Sequence, residues 1–184
     1  ALAYPDSRGA TEKLVALAAK HQVKIFLDLN WRPVFWGDET EAKQRITDLI
    51  PHATILKCTD EEAVWLFGRQ DPVTLHDKMP HLQGVLVTAG EKGCAYSLGD
   101  HYGEVPAFSV PVQDTTGAGD AFVAGFLSQA LTYGDRLFEE AEIAHPTIRY
   151  ASAVGALTTL KPGAIAAQPT PEAVNQFLNN YGTT

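Results

Sequence analysis

The chain has 184 residues, of which 45% are hydrophobic and 20% charged, a composition typical of a soluble globular protein with a substantial core. A formal net charge of −8, with no compensating run of Lys and Arg, argues against a nucleic-acid-binding protein. No apolar run approaches membrane-spanning length and no signal peptide opens the sequence, so we expect a cytoplasmic protein that does not bind membranes.

In the first half of the chain, hydrophobic periodicity separates helices from strands. Apolar residues at helical spacing predict helices over residues 11–22, 39–50 and 60–68, with Gly68 as the C-terminal cap of the third. A further helix is predicted over residues 71–82, interrupted by Pro80. Continuous apolar runs predict strands over residues 23–30, 53–58 and 84–90, the first and last fully buried.

The second half begins with two predicted strands, over residues 93–100 and 101–110, which we expect to be antiparallel around a turn at residues 99–100. Three helices are predicted after them, around residues 122–131, around residues 139–160 and from about Pro171. Strands that alternate with helices predict an α/β layered fold with a mainly parallel sheet.

Polar segments directly follow the predicted buried strands, at residues 28–32, 57–62 and 88–90. Ligand sites of open α/β sheets lie beyond the carboxyl ends of the strands. We therefore expect these segments to converge on one crevice, together with a Gly-rich turn at residues 117–120.

That turn belongs to the run DTTGAGDAF, residues 114–122, which directly precedes a predicted helix. Backbone N–H groups at a helix N-terminus lack intrahelical partners and carry the positive end of the dipole, so such a turn is suited to binding an anion. Gly117 and Gly119 let the main chain approach a phosphate closely. Asp120 either takes a proton from an attacking hydroxyl, as in phosphoryl transfer, or is only a favourable partner of the helix dipole.

The full string, followed by a helix rich in small residues, resembles the C-terminal signature of the ribokinase-like (PfkB) carbohydrate kinases. The resemblance implies a three-layer α/β/α fold around a mainly parallel sheet, and a reaction that uses ATP and Mg²⁺. It also implies that Asp120 is the general base for a sugar hydroxyl. In that reading, the N–H groups around Gly117, Ala118 and Gly119 form an anion hole for the transferred phosphoryl group.

The segment DLNWRPVFW places Asp28, Asn30 and Arg32 at alternate positions, which share one face while the chain is extended. On the residues alone, Arg32 is either a solvated side chain or a ligand for a phosphate or sugar oxygen. In the family this segment lies near the transferring phosphate and the substrate, so the resemblance implies that Asn30 and Arg32 contact the substrate. The segment is most similar to that of bacterial fructokinases, which makes fructose the expected sugar.

Residues 57–62, KCTDEE, begin a predicted helix with Thr59 as N-cap and Glu62 as the other half of a capping box, and capping alone would account for both residues. Family members commonly carry an N-x-x-E motif here. The resemblance implies that Glu62 holds Mg²⁺ through water, with Thr59 in place of the Asn. It also places Lys57 among the nucleotide contacts.

The segment VTAGEKGCAY resembles the nucleotide-binding turn of the family, although two glycines around a charged pair are equally typical of a hairpin turn. In the long late helix, Ser152 stands where the family often has an Asn near the adenine. The remaining nucleotide contacts that the resemblance implies are Thr88, Gly90, Gly93 and Thr116. It further implies a monovalent cation, such as K⁺, beside Asp114.

The resemblance covers nearly the whole chain but only the second half or so of a PfkB kinase. We therefore expect residues 1–184 to be the C-terminal part of a kinase domain, with an incomplete sheet because the N-terminal part and the lid are absent. That missing part carries much of the sugar-binding surface, and its lid would form the contact of a homodimer. Two alternatives stay open, a 2-keto-3-deoxygluconate kinase and a non-catalytic nucleotide-binding fragment.

Overall fold

The computed structural model describes residues 2–181, which fall into two units, the first ending at Thr88 and the second beginning at Ala89. The strands of the first unit are β1 (Phe26–Asp28), β2 (Ile55–Thr59) and β3 (Gly84–Thr88). Its helices are α1 (Pro5–Lys20), α2 (Glu39–Leu49), α3 (Asp60–Phe67) and α4 (Pro72–Lys78).

The strands of the first unit run parallel, β1 beside β2 and β2 beside β3, in a register that aligns Asp28 with Lys57. Apolar side chains from β2, β3, α3 and α4 form the core of this unit, among them Leu56, Ala63, Leu75 and Val85. Burying one aliphatic side chain of this size contributes about 1.5–3 kcal/mol. This core fixes the carboxyl ends of the strands, where the polar segments begin.

Helix α3 begins and ends where the sequence predicts. Thr59 accepts a hydrogen bond from the backbone N–H of Glu62, and the Glu62 side chain accepts one from the backbone N–H of Thr59, which completes the predicted capping box. Gly68 ends the helix with a φ of 71°, in the left-handed region that favours glycine.

The second unit contains a β-hairpin and a set of helices. Strands β4 (Cys94–Leu98) and β5 (His101–Val105) are antiparallel, with Leu98 opposite His101, so the predicted hairpin is confirmed. Its helices are α5 (Ala118–Tyr133), α6 (Arg136–Glu139), α7 (Ala141–Thr158) and α8 (Pro171–Asn180). Small buried side chains let α5 pack along α7, and Val174 of α8 joins the same core cluster as Ala121 and Ala153.

The prediction of a fully buried strand over residues 23–30 is wrong. Strand β1 has only three residues, all partly exposed, and Val23 is 59% exposed. Before β1, the carbonyl of Ile25 accepts hydrogen bonds from two successive N–H groups, of Thr54 and Ile55, which interrupts a regular ladder. After β1, Asn30 has a φ of 43° and turns the chain out of the extended conformation.

Other predicted boundaries differ by a few residues. Helix α1 begins at Pro5 rather than at residue 11, because Pro is favourable in the first turn of a helix. Strand β5 ends at Val105, since Pro106 has no N–H to donate to a ladder. The predicted helix over residues 139–160 is α7, preceded by the separate short helix α6. Among residues 2–181, no helix combines the length and the apolar character needed to cross a bilayer.

Candidate functional site

In the second unit, the Gly-rich turn predicted to bind an anion lies directly before α5. Gly117 is the N-cap residue, with φ 79° and ψ 0°. A Cβ atom at this position would stand 2.7 Å from the Cβ of Ala164 and 3.0 Å from its Cα. Both the left-handed backbone and the close approach of the segment at Ala164 therefore require glycine here.

The first backbone N–H groups of α5 are those predicted to hold an anion. The N–H of Ala118 donates to the carbonyl of Thr115 at 3.2 Å. Within the described part of the chain, the N–H groups of Gly117 and Gly119 have no acceptor. Unpaired N–H groups at the positive end of a 16-residue helix attract negative charge. The turn is therefore chemically suited to a phosphate or a phosphoryl group.

Asp120 lies in the first turn of α5, three residues after the N-cap, and its side chain is exposed. Its carboxylate accepts no hydrogen bond from residues 2–181, so it stays open to a ligand at the helix N-terminus. An exposed carboxylate beside a turn that is suited to an anion has the chemistry of a general base, and the predicted role of Asp120 as that base stays a prediction.

Asp114 holds the turn to a distant segment. Its Oδ1 accepts hydrogen bonds from the backbone N–H of Thr116 at 2.9 Å and from the Thr116 hydroxyl at 2.6 Å. Its Oδ2 accepts one from the N–H of Gly163 at 2.9 Å. The Gly163 bond, followed by the two from Thr116, lowers the pKa of Asp114 to about 2. An ionised Asp114 thus fixes the turn, and the partner at Gly163 was not found by sequence reasoning.

The other residues predicted to contact nucleotide in the second unit lie in two places. Gly90 begins a single 3₁₀ turn, and Gly93 directly follows it. The N–H of Gly93 donates to the carbonyl of Gly90 at 3.2 Å, which is the hydrogen bond of that turn. The N–H of Ala89 donates to the carbonyl of Gly93 at 2.8 Å. Ser152 lies on α7 and is partly exposed.

In the first unit, Asp28 at the end of β1 and Lys57 in the middle of β2 form an ion pair between two adjacent strands. The Lys57 ammonium lies 3.1 Å and 3.2 Å from the two Asp28 carboxylate oxygens, and Lys57 is only 4% exposed. Burial raises the pKa of Asp28 above its usual value, and the charge of Lys57 opposes that rise. Lys57 is therefore engaged inside the unit, and its predicted nucleotide contact stays a prediction.

Glu62 is buried, with 6% of its surface exposed, and both of its carboxylate oxygens are engaged. Oε1 accepts a hydrogen bond from the backbone N–H of Trp31 at 2.6 Å, and Oε2 accepts one from the backbone N–H of Thr59 at 2.8 Å. In the described residues, no group of three or more His, Cys, Asp or Glu side chains is arranged to hold a metal ion. The predicted link from Glu62 to Mg²⁺ stays a prediction, and its contact with Trp31 was not foreseen.

Three further predicted residues of the first unit are placed as follows. Asn30 is exposed, at the left-handed turn that follows β1. Arg32 is exposed, and its Nη1 donates to the carbonyl of Trp31 at 2.9 Å. The Thr88 hydroxyl donates to the carbonyl of Cys58 at 3.4 Å, at the end of β3. The convergence of these residues with the turn at Gly117 stays a prediction.

Comparison with known proteins identifies the relatives of the chain. The model of the pfkB family carbohydrate kinases matches residues 1–171. A probable fructokinase-2 from Arabidopsis thaliana is 37% identical over 174 residues, which are 93% of this chain and 53% of that protein. The chain spans about half the length of most of the curated relatives that it matches.

Solved structures agree with that family. A double mutant of the fructokinase from Vibrio cholerae O395, with fructose, ADP and potassium ion bound, has a TM-score of 0.84 and 28% identity, covering 96% of this chain and 57% of that one. The fructokinase from Xylella fastidiosa with bound ATP has a TM-score of 0.82 and 28% identity, covering 93% and 56%. The predicted ribokinase-like α/β fold is confirmed, and the chain belongs to the pfkB family of carbohydrate kinases.

Proposed function

We propose that the protein transfers a phosphoryl group from ATP to a hydroxyl of a sugar, and that the sugar is fructose. The observation that carries this proposal is the start of α5, where the carboxylate of Asp120 adjoins unpaired N–H groups behind the turn at Gly117. The relatives named as fructokinases, one of them solved with fructose and ADP, support the choice of sugar.

In the proposed reaction, Asp120 accepts the proton of the sugar hydroxyl as its oxygen attacks the γ-phosphorus of ATP. The bond between that phosphorus and the bridging oxygen breaks, and ADP leaves with the bond's electron pair. The N–H groups of Gly117 and Gly119 stabilise the negative charge on the transferred group, as helix N-termini do for phosphates. Ala118 joins them if its N–H turns from the carbonyl of Thr115.

The remaining site residues are assigned roles in the same proposal. Arg32, permanently charged and exposed, contacts the transferred phosphate or the substrate, and Asn30 contacts the sugar. Thr88, Gly90, Gly93, Thr116 and Ser152 contact the nucleotide. Lys57, whose ammonium is paired with Asp28, influences the nucleotide site indirectly through that ion pair.

The proposal includes two kinds of metal ion, Mg²⁺ and a monovalent cation, and the structure supports them to different degrees. Mg²⁺ would supply positive charge to the phosphates, but both oxygens of Glu62 already accept hydrogen bonds, so we derive no step through a metal held by Glu62. A monovalent cation fits better beside Asp114, which is ionised and whose Oδ2 accepts one hydrogen bond. The Vibrio cholerae fructokinase with potassium ion bound supports that choice.

The test is an ADP-release assay on the complete polypeptide that carries this sequence, with ATP, Mg²⁺ and fructose, glucose, ribose or 2-keto-3-deoxygluconate. We expect fructose-dependent turnover. Asp120→Asn should cut that turnover by roughly two or more orders of magnitude while ATP affinity is kept. The matched control is Asp6→Asn, because Asp6 is also an exposed carboxylate in the first turn of a helix.

Each outcome of this assay has a distinct meaning. Near-normal turnover by Asp120→Asn would remove Asp120 from the role of base. Turnover with 2-keto-3-deoxygluconate alone would identify that compound, and not fructose, as the substrate. ATP binding without sugar-dependent ADP release would favour a non-catalytic nucleotide-binding protein.

A further inference from the structure

We propose that Glu62 is a positioning residue that holds the turn at Asn30–Arg32 through the backbone N–H of Trp31, without the help of a metal ion. This inference rests on the proposed function for one point only, the contact of Arg32 with phosphate or substrate. The positioning itself is a property of the first unit.

The main-chain geometry shows why the turn needs an acceptor at this point. Sheet pairing on this side ends at Leu29, whose N–H donates to the carbonyl of Lys57 at 3.0 Å. Asn30 then adopts its φ of 43°, and the backbone N–H of the following residue, Trp31, donates to Oε1 of Glu62 at 2.6 Å. A partly buried backbone N–H that no longer pairs with a neighbouring strand needs another hydrogen-bond acceptor. Glu62 supplies it.

Helix α3 holds the same turn at a second point. The ring of Trp31 stacks on the ring of Trp65, with centroids 4.2 Å apart and an interplanar angle of 18°. Trp65 follows Glu62 by three residues on α3, so both lie on one side of that helix. Its indole N–H donates to Glu39 at 2.8 Å, which fixes the orientation of its ring. Helix α3 therefore contacts both the backbone N–H and the indole ring of Trp31.

The position of Arg32 depends on the position of Trp31. It is the residue next to Trp31, and its guanidinium donates to the carbonyl of Trp31 at 2.9 Å. A shift of the Trp31 peptide would therefore move both the Cα and the guanidinium of Arg32. Small displacements of groups that bind a reacting phosphate reduce turnover strongly.

The chemistry of Glu62 suggests a decisive substitution. An ionised carboxylate only accepts hydrogen bonds, and Glu62 accepts one on each oxygen. In Glu62→Gln one oxygen becomes an NH₂ group, which opposes the N–H of either Trp31 or Thr59. The matched control is Thr59→Ala, which removes the hydroxyl that accepts from the N–H of Glu62 but keeps both acceptors of the carboxylate.

The first measurement is made on the 184-residue chain in a buffer with EDTA and no Mg²⁺. The three tryptophans of the chain, Trp31, Trp36 and Trp65, all lie in this one cluster, so tryptophan signals report on it directly. We expect Glu62→Gln to weaken the exciton circular dichroism of the stacked pair and to increase acrylamide quenching. Thr59→Ala should leave both signals near those of the unmodified chain. Unchanged signals in Glu62→Gln, or equal changes in both variants, would overturn the proposal.

A second measurement needs no variant. In the unmodified chain without metal, the amide hydrogen of Trp31 should exchange at least about tenfold more slowly than that of exposed Arg32, because it donates to a buried carboxylate. Exchange of the Trp31 amide at the rate of an unprotected peptide would refute the contact. This exchange measurement tests the contact even if the Glu62→Gln variant does not fold.

The kinetic arm uses the complete polypeptide. If Glu62 positions the turn, Glu62→Gln lowers kcat/KM for fructose about tenfold or more, while the Mg²⁺ concentration for half-maximal activity changes by less than about twofold. A large shift in the Mg²⁺ requirement, with the tryptophan signals unchanged, would assign Glu62 to the metal instead. If no sugar is phosphorylated at all, the proposed function fails, but the spectroscopic and exchange results still decide the positioning role.

Discussion

Replacement of Gly117 by Ala should destabilise the fold more than the same replacement of Gly68. The two glycines have nearly the same backbone conformation, with φ 79° and ψ 0° at Gly117 and φ 71° and ψ 12° at Gly68. They differ in their surroundings. A Cβ at Gly68 would have no atom within 4 Å, whereas at Gly117 it would stand 2.7 Å from the Cβ of Ala164. Gly68→Ala is therefore a matched control that isolates the close approach.

The expected magnitudes follow from two contributions. An L-residue in the left-handed region costs about 1–2 kcal/mol, and both variants share this contribution. A methyl group forced into occupied space adds about 1–3 kcal/mol, and only Gly117→Ala incurs it, since the backbone at Ala164 must move. We expect the free energy of unfolding to fall by about 1–2 kcal/mol in Gly68→Ala and by about 2–5 kcal/mol in Gly117→Ala.

Urea unfolding followed by far-ultraviolet circular dichroism measures both values, and calorimetric titration with ATP measures the consequence for the proposed anion site. Gly117→Ala should also weaken ATP binding, because displacement of the turn moves the N–H groups of α5. Gly68→Ala should bind ATP like the unmodified chain. If both variants lose the same stability within about 0.5 kcal/mol, the segment at Ala164 yields freely and the reasoning from close approach is refuted.

Two further predictions concern ionised groups. The pKa of Asp114 is lowered to about 2, so its hydrogen bonds should be complete above pH 3.8 and lost only as the pH falls through about 2. The amide resonance of Gly163, followed by NMR in a pH titration, should therefore shift with a midpoint near 2, and a midpoint at or above 3.8 would contradict the assignment. Lys57→Met leaves the carboxylate of Asp28 without its partner and should cost about 3–5 kcal/mol at pH 7 in urea unfolding. Burial raises the pKa of Asp28, so the folded state binds that proton more tightly and gains stability as the pH falls. Without the charge of Lys57, which opposes that rise, the pKa of Asp28 rises further, so the variant gains more stability than the unmodified chain as the pH falls. The cost of Lys57→Met should therefore shrink towards pH 4, and a cost independent of pH would show that Asp28 is not the group left unpaired.

Local sequence signals predicted the parts of the structure that depend on local interactions. The start of α3 was found from Thr59 and Glu62, and its end from Gly68, because a capping box and a left-handed cap involve residues within a few positions of each other. The helix after the turn at Gly117 was predicted from glycines that precede an apolar run, although α5 begins at Ala118, four residues before the predicted start. Family resemblance then supplied the roles proposed for the residues there.

Contacts between distant residues were not predicted. Glu62 bonds to Trp31 across 31 positions, and Asp114 bonds to Gly163 across 49, and no periodicity or spacing in the sequence encodes either pair. The length of β1 was wrong for a related reason. An apolar run predicts burial on average, but the carbonyl of Ile25 and the left-handed Asn30 decide where regular pairing begins and ends.

The three hydrogen bonds of Asp114 bear on the thermodynamics of the anion binding that we propose for this turn. They form when the chain folds, so the turn before α5 and the segment at Gly163 lose their conformational freedom before any ligand arrives. A ligand that meets an already ordered loop binds with a smaller loss of conformational entropy than one that must order the loop itself. Asp114 would in this way strengthen the binding of the proposed anion through the order of the turn alone, whereas its own negative charge would repel that anion.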